Sequence, residues 1–420
     1  MKILIISNSE WDDNNSFGNT FSNFFSGMDL EFANIYCRSG MPNTKLCSRF
    51  LRLSDQQIVS YILGRRKDPA QRVNNMQENA ASNDKAVAFA KRKRWAIIFL
   101  LRELLWKIGR PYSSEVRQFI SEFKPDLLFL PTYPYTYINR MALRIQKDFG
   151  LPMVSYMSDD EYSLRLRSFS PLFWLRRFWQ RKWVVKGLKA SSKVYVISRV
   201  QQEDLEKDLK IRADILTKTY DFKQEPVYCR TNKELQMLYA GNISSGRYNT
   251  LLAISQAVAR LRNAGQGIRL DIYTPTQLSE EMLQKLQNDG CYLHGRVAYA
   301  ELLKIQQDAD VAIHAEGFDR ASMLEVRQSF STKLVDLFYY GKCIFAAGAP
   351  EAASMTYLIE EDAAIVACTE EEIFDKLKML TSKQGAIESY ALKSYQCGKR
   401  NHDRSMAQIA LRSALEEAIL

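Results

Sequence analysis

A chain of 420 residues is too long for one compact core and points to two domains, while 46% hydrophobic and 25% charged residues exclude disordered and fibrous classes. The net charge of +10 is local: residues 61–120 hold 13 Lys/Arg against 5 Asp/Glu, residues 161–190 hold 8 against 1, and the remainder is net acidic. No helix-turn-helix, zinc-knuckle or RNA-recognition signature accompanies that charge, which speaks against nucleic acid as a partner.

The opening stretch MKILIISNSEWDD reads as a strand, Ile3–Ile6, that turns polar too soon for a signal peptide. Further apolar runs at Phe32–Tyr36, Leu127–Leu130, Met153–Tyr156 and Val194–Ile197 alternate with amphipathic stretches. This is the pattern of βαβ units and a parallel sheet. A basic, helical insertion near 50–115 separates the second strand from the third.

Both basic stretches, KRKRWAIIFLLRELLWKIGRPY and LRLRSFSPLFWLRRFWQRKWVVKGL, interleave cations with aromatic and aliphatic residues. Residues 91–110 and 164–187 therefore suit helices lying on an anionic membrane surface; the plainer alternative is a solvated helix whose apolar side joins the core. The run Trp95–Leu101 is interrupted by Arg102 and Glu103 and falls short of the ~20 residues of a membrane span. Seven scattered cysteines without a CxxC pair, and three histidines without ligand spacing, predict reduced thiols, no metal site and a cytoplasmic location.

The polar segment DFKQEPVYCRTNKEL reads as an interdomain linker, after which the alternation restarts with strands at Gln236–Ala240, Arg269–Tyr273, Cys291–His294, Asp310–His314, Cys343–Ala346 and Ala363–Val366. The expected domains are 1–224, 225–390 and a helical tail, 391–420, packing back across the linker. The expected fold class is α/β, two Rossmann-like doubly wound domains, with ligands at the carboxyl ends of the strands.

Within QSFSTKLVDLFYYGKCIFAAG, residues 328–348, a helix capped by Ser331 or Thr332 and closed by Gly341 carries Lys333 in its first turn. A cation there opposes the helix dipole at a cost of ~0.3–1 kcal/mol. Either Lys333 awaits an anion such as a diphosphate, or it pairs with Asp336 at i,i+3 for ~0.2–0.5 kcal/mol. The loop YAGNISSGRYNT places a second cation, Arg247, at another helix start, behind Gly241, Asn242, Ser244 and Ser245.

The stretches MLYAGNISSGR, DVAIHAEGFD and QSFSTKLVDLFYYGKCIFAAGAPEAASMTYL resemble the C-terminal domain of GT-B glycosyltransferases, nearest the family-four-like enzymes of bacterial capsule, exopolysaccharide and lipopolysaccharide assembly. The resemblance implies two domains facing across a cleft and transfer of a sugar from a nucleotide-diphosphate donor. Retention of configuration, no cofactor and no required metal are implied with it. The family's Glu-x7-Glu falls on Gln328 and Asp336, of which only Asp336 keeps a carboxylate for donor hydroxyls. Arg247 substitutes for an Arg-x4-Lys pair that is not reproduced, and Ser331, Thr332, Lys333, Leu334 and Glu316 complete the donor set. Asp159 and Asp160 would orient or deprotonate the acceptor, against the simpler roles of helix cap or oxygen ligand to a metal. Asn8, Gly18 and Asn19 would approach an acceptor that is lipid-linked or a growing glycan, at the inner membrane face. Two alternatives keep the fold: a nucleotide-sugar epimerase or hydrolase, and a catalytically weak assembly subunit, which the Gln328 departure favours.

Overall fold

The structure, a computed structural model, describes residues 1–74, 96–223, 225, 234–297, 299–383 and 385–420. Two compact units emerge: Met1–Leu216 with Met406–Leu420, and Thr217–Ser405. The division between these units falls at 216/217 and 405/406, beside the 224/225 and 390/391 expected from the sequence. Most of the linker segment, with Cys229, lies outside the described residues, as does the 75–95 part of the basic insertion.

The first unit is built on eight strands: β1 (Lys2–Ser7), β2 (Glu31–Tyr36), β3 (Arg49–Arg52), β4 (Gln71–Val73), β5 (Leu127–Pro131), β6 (Met153–Met157), β7 (Lys193–Val196) and β8 (Asp214–Ile215). Their order is β4-β3-β2-β1-β5-β6-β7-β8, parallel throughout except for β4 at the edge. β1 and β5 are buried almost end to end, as expected of strands covered by helices on both faces. One face packs Trp11, Phe21, Phe25 and Phe129; the other packs Trp106, Ile138 and Leu130. Leu411 and Leu415 of the last helix join the first of these cores, and Gln408 donates to the Ser26 carbonyl at 2.6 Å.

The insertion was expected to be helical, yet it also contributes β3 and β4. Four and three residues are too few to show an alternating pattern, and Phe50 and Leu51 are buried only because β2 is there to pair with. Its helix Asp55–Ile62 carries a full capping box between Ser54 and Gln57. Asp55 then takes Arg102 at 3.0 Å and Trp106 Nε1 at 2.5 Å, which anchors helix Ala96–Ile108.

Gly18 lies inside helix Ser16–Phe25, where a β-carbon would stand 2.1 Å from the Asp12 carbonyl oxygen. The close approach is thus to the chain's own backbone, not to an acceptor. Gly18→Ala is expected to destabilise the first unit by about 1–3 kcal/mol, measured by urea unfolding.

The second unit has six parallel strands, β9 (Leu235–Ala240), β10 (Ile268–Tyr273), β11 (Cys291–His294), β12 (Val311–Ala315), β13 (Cys343–Ala347) and β14 (Ile365–Ala367). Their order, β11-β10-β9-β12-β13-β14, reverses direction between β9 and β12. That switch point leaves a crevice at the carboxyl ends of the strands, where open α/β sheets bind ligands.

Candidate active site

At the switch point of the second unit, Arg247 opens helix Arg247–Asn263 and turns back over β12, donating Nε to the Ala315 carbonyl at 3.1 Å. Its Nη2 lies 2.8 Å from Glu316, a carboxylate only 2% exposed. Thr250 Oγ1 donates to the Glu316 carbonyl at 2.6 Å and holds that residue to the same helix. A buried carboxylate needs such a partner, so one of the two cations is neutralised within the protein.

The other is not. Lys333 donates to the Ala240 carbonyl at 3.0 Å, at the end of β9, and no carboxylate lies within ion-pairing distance of it among the described residues. The i,i+3 pair with Asp336 does not form. Desolvation of the ammonium, and next the charge of Arg247, hold the Lys333 pKa below its ordinary value, although the side chain reaches solvent. A β-carbon at Gly241 would stand 2.7 Å from Lys333 Nζ, so the bare backbone there is what lets the ammonium lie down.

Lys333 forms the wall between two cavities. One, of about 130 Å³, is lined by Asn242, Arg247, His314, Glu316, Ser331 and Leu334. The other, of about 200 Å³, lies over the ends of β9, β10 and β11, against Gly241, Tyr273, Pro275, Gly295 and Arg296. His314, buried in the first, has Nε2 without a hydrogen bond among the described residues; Glu316 Oε1 stands at 3.5 Å. Sequence reasoning treated His314 only as a strand residue. Its signal, a histidine two positions before a glutamate at a strand end, acquires meaning only when Arg247 is folded against both.

The remaining expected donor residues fall outside these walls. The helix at Lys333 spans just Lys333–Tyr339, and Thr332 sits in helical conformation (φ −61°, ψ −17°) with no side-chain cap bond, against the expected cap. Seven residues also develop little dipole, so the site's charge rests on the side chains. Ser245 donates to Glu325 at 2.9 Å, Ser244 accepts from Arg247 N–H at 3.3 Å, and Gln328 is 1% exposed. Asp336 is 8% exposed, and its Oδ1 accepts from both Lys218 and Tyr220, the latter at 2.6 Å. Tyr220 stacks on Tyr339 at 4.3 Å. Asp336 thus ties helix Lys333–Tyr339 to the segment that enters the unit.

His294 stacks on Tyr273 and meets Asp271 at 2.7 Å. His402, 3% exposed, bonds Thr217 Oγ1 at 2.9 Å and Tyr357 at 3.0 Å, at the place where the entering and leaving segments run side by side. Burial pushes the His402 pKa down to about 4; burial and the Arg247 and Lys333 charges do the same to His314, against the pull of Glu316. An unfolded histidine titrates near ~6.5, so below that pH the unfolded chain takes up protons that the folded one refuses. Stability present at pH 7 is therefore lost between about 6.5 and 4, at ~1.4 kcal/mol per pH unit per histidine. All six tryptophans precede residue 184, so their fluorescence follows the first unit alone. Denaturation followed by circular dichroism at pH 7 and pH 5.5 should weaken the non-tryptophan phase by roughly 1 kcal/mol per histidine. Equal weakening of both phases would count against the two histidines.

In the first unit the ends of β1, β2, β5 and β6 gather a second cluster. Asn8, 3% exposed, meets the Arg38 guanidinium at 3.2 Å once its amide is oriented by hydrogen bonding, and Asn19 Nδ2 donates to Asp13 O at 3.5 Å. Asp160 is consumed structurally: it pairs with buried Arg177 at 2.9 Å and accepts from the Ser163 N–H at 2.8 Å and the Ser163 hydroxyl. Asp160 does not cap the next helix, whose cap is Ser170; its carboxylate holds Arg177 and the turn at Ser163. Asp159 is exposed, with its carbonyl accepting from Gln201 at 2.9 Å. The sequence reading missed Glu161, whose carboxyl is pushed well up by burial first and by Asp159 second. Arg38, Glu161 and Asp159 all act on the Tyr133 hydroxyl.

Neither a protein-family model nor a curated protein matches the chain. Solved structures do. Sucrose-phosphate synthase from Thermosynechococcus elongatus aligns over 99% of this chain and 98% of its own, at 10% identity and a TM-score of 0.63. The Anabaena protein HepE, solved with UDP, aligns over 99% and 100% at 10% identity and a TM-score of 0.62. A Burkholderia xenovorans trehalose-phosphate synthase, solved with glucose-6-phosphate, gives 99%, 100%, 9% and 0.58. The fold is that of the GT-B glycosyltransferases, two Rossmann-like domains in one chain.

Proposed function

We propose that the chain is a glycosyltransferase that takes a sugar from a nucleoside-diphosphate donor held by the second unit. The carrying observation is Lys333: a lysine without a carboxylate partner among the described residues, laid across Gly241 between two cavities at the sheet's switch point. Departure of a diphosphate from an oxocarbenium-like centre develops negative charge, and fixed cations placed where that charge appears lower the barrier. Lys333 and Arg247 are those cations, and they supply the charge a divalent ion would otherwise bring. His314 Nε2 offers one further polar contact to the donor.

The acceptor hydroxyl belongs to the first unit's cluster. Burial first and the neighbouring Asp159 second raise the Glu161 carboxyl pKa, and an upward-shifted carboxyl in this cluster is the group to exchange a proton with the acceptor. Retention, a lipid-linked or growing glycan as acceptor, and a role in bacterial surface polysaccharide synthesis rest on the sequence resemblance. Titration calorimetry with a panel of nucleoside diphosphates and their sugars, without added metal, tests the donor half. Binding of one nucleotide supports transfer; absence of binding to every member returns the chain to an assembly role. Free sugar or epimer formed without an acceptor identifies the hydrolase or epimerase instead.

A further inference from the structure

The first half of helix Pro171–Ala190 has its polarity inverted, whereas its second half buries Val184 and Leu188. The first half buries Arg177 and Gln180, both 5% exposed, and turns Leu172, Leu175 and Phe178 outward at 44%, 61% and 55% exposure. Phe169, just ahead of it, is fully exposed. Burying Arg177 is explained by Asp160; exposing three apolar side chains has no such internal reason.

Helix Ala96–Ile108 packs against it, with the Arg176 guanidinium 4.8 Å over the Phe99 ring, and exposes its own stripe of Leu101, Leu104 and Ile108 at 60%, 47% and 56%. The exposed charges that these two helices themselves carry have one sign. Residues 162–190 contain no Asp or Glu, and the one acid of the neighbouring helix, Glu103, is buried on Thr136. Arg167, Lys182, Lys186 and Lys107 are exposed. Apolar stripes whose own helices carry exposed cations and no exposed acid complement a surface that is apolar beneath and anionic above.

We propose that this face docks on an anionic lipid bilayer, with Phe169, Leu172, Leu175 and Phe178 entering the acyl boundary and the lysines meeting head groups. The proposal deepens that of a lipid-linked acceptor, and its test uses neither sugar nor nucleotide, so the two can fail separately. The full chain is sedimented with phosphatidylcholine vesicles with and without phosphatidylglycerol, at low and high salt. Binding is expected only with phosphatidylglycerol, weakened by salt, about 25-fold weaker in K182Q/K186Q and lost in L175E/F178E. These side chains are exposed, so nucleotide binding and circular dichroism should be unchanged in both variants. Failure to sediment with phosphatidylglycerol vesicles, or equal binding by wild type and variants, overturns the proposal. A dimer in light scattering that L175E/F178E dissolves, without vesicle binding, overturns it in favour of a protein interface.

Discussion

Arg177→Ala should cost the first unit about 3–5 kcal/mol, the expected penalty for stranding one partner of a buried ion pair. Arg177 and Asp160 side chains are 7% and 8% exposed, and the guanidinium also holds the Asp160 and Ser163 carbonyls at 2.9 Å. Losing it strands a carboxylate and two carbonyls at once. Urea unfolding followed by tryptophan fluorescence reads this well, because Trp174, Trp179 and Trp183 sit on the same helix. The paired replacement Arg177→Met with Asp160→Asn should recover a large part of the loss, since neither then leaves a bare charge. A loss below about 1 kcal/mol for Arg177→Ala would mean that solvent reaches the pair and that Asp160 is available for other work.

Lys333→Ala should weaken nucleoside-diphosphate binding by about 1.5–3 kcal/mol, roughly 10- to 150-fold, as charge-assisted bonds to a diphosphate are removed. Its effect on stability should be small, because among the described residues the ammonium makes one bond, to the Ala240 carbonyl, and it faces solvent. Calorimetry therefore separates the two: affinity lost with the unfolding curve unmoved assigns Lys333 to the donor. Unchanged affinity would transfer the diphosphate to Arg247 alone, at the expense of its pair with Glu316.

Much of the architecture was legible from periodicity. The long strands of both sheets appear as four- or five-residue, mainly apolar runs between amphipathic stretches, because a parallel strand covered on both faces must be apolar along most of its length. What escaped was short or non-local. β8, two exposed residues, is a strand only because β7 pairs with it. Helix Pro171–Ala190 gives no face to a sequence pattern, since its buried arginine and exposed leucines cancel.

By itself, the sequence determined two α/β domains, a restart near residue 235, and two cations, Lys333 and Arg247, at starts of helices where intrahelical electrostatics disfavours them. Those are local properties, set by residue spacing along one segment. The tertiary structure alone decided which charge is spent. Arg247 finds Glu316 and Asp336 finds Lys218, each across dozens of residues or more, and among the described residues Lys333 finds only a carbonyl. It likewise spent Asp160 on Arg177 and raised Glu161 beside Asp159. Charge compensation acts through space, over a few ångströms and without regard to sequence separation, so no reading of spacing could have assigned it.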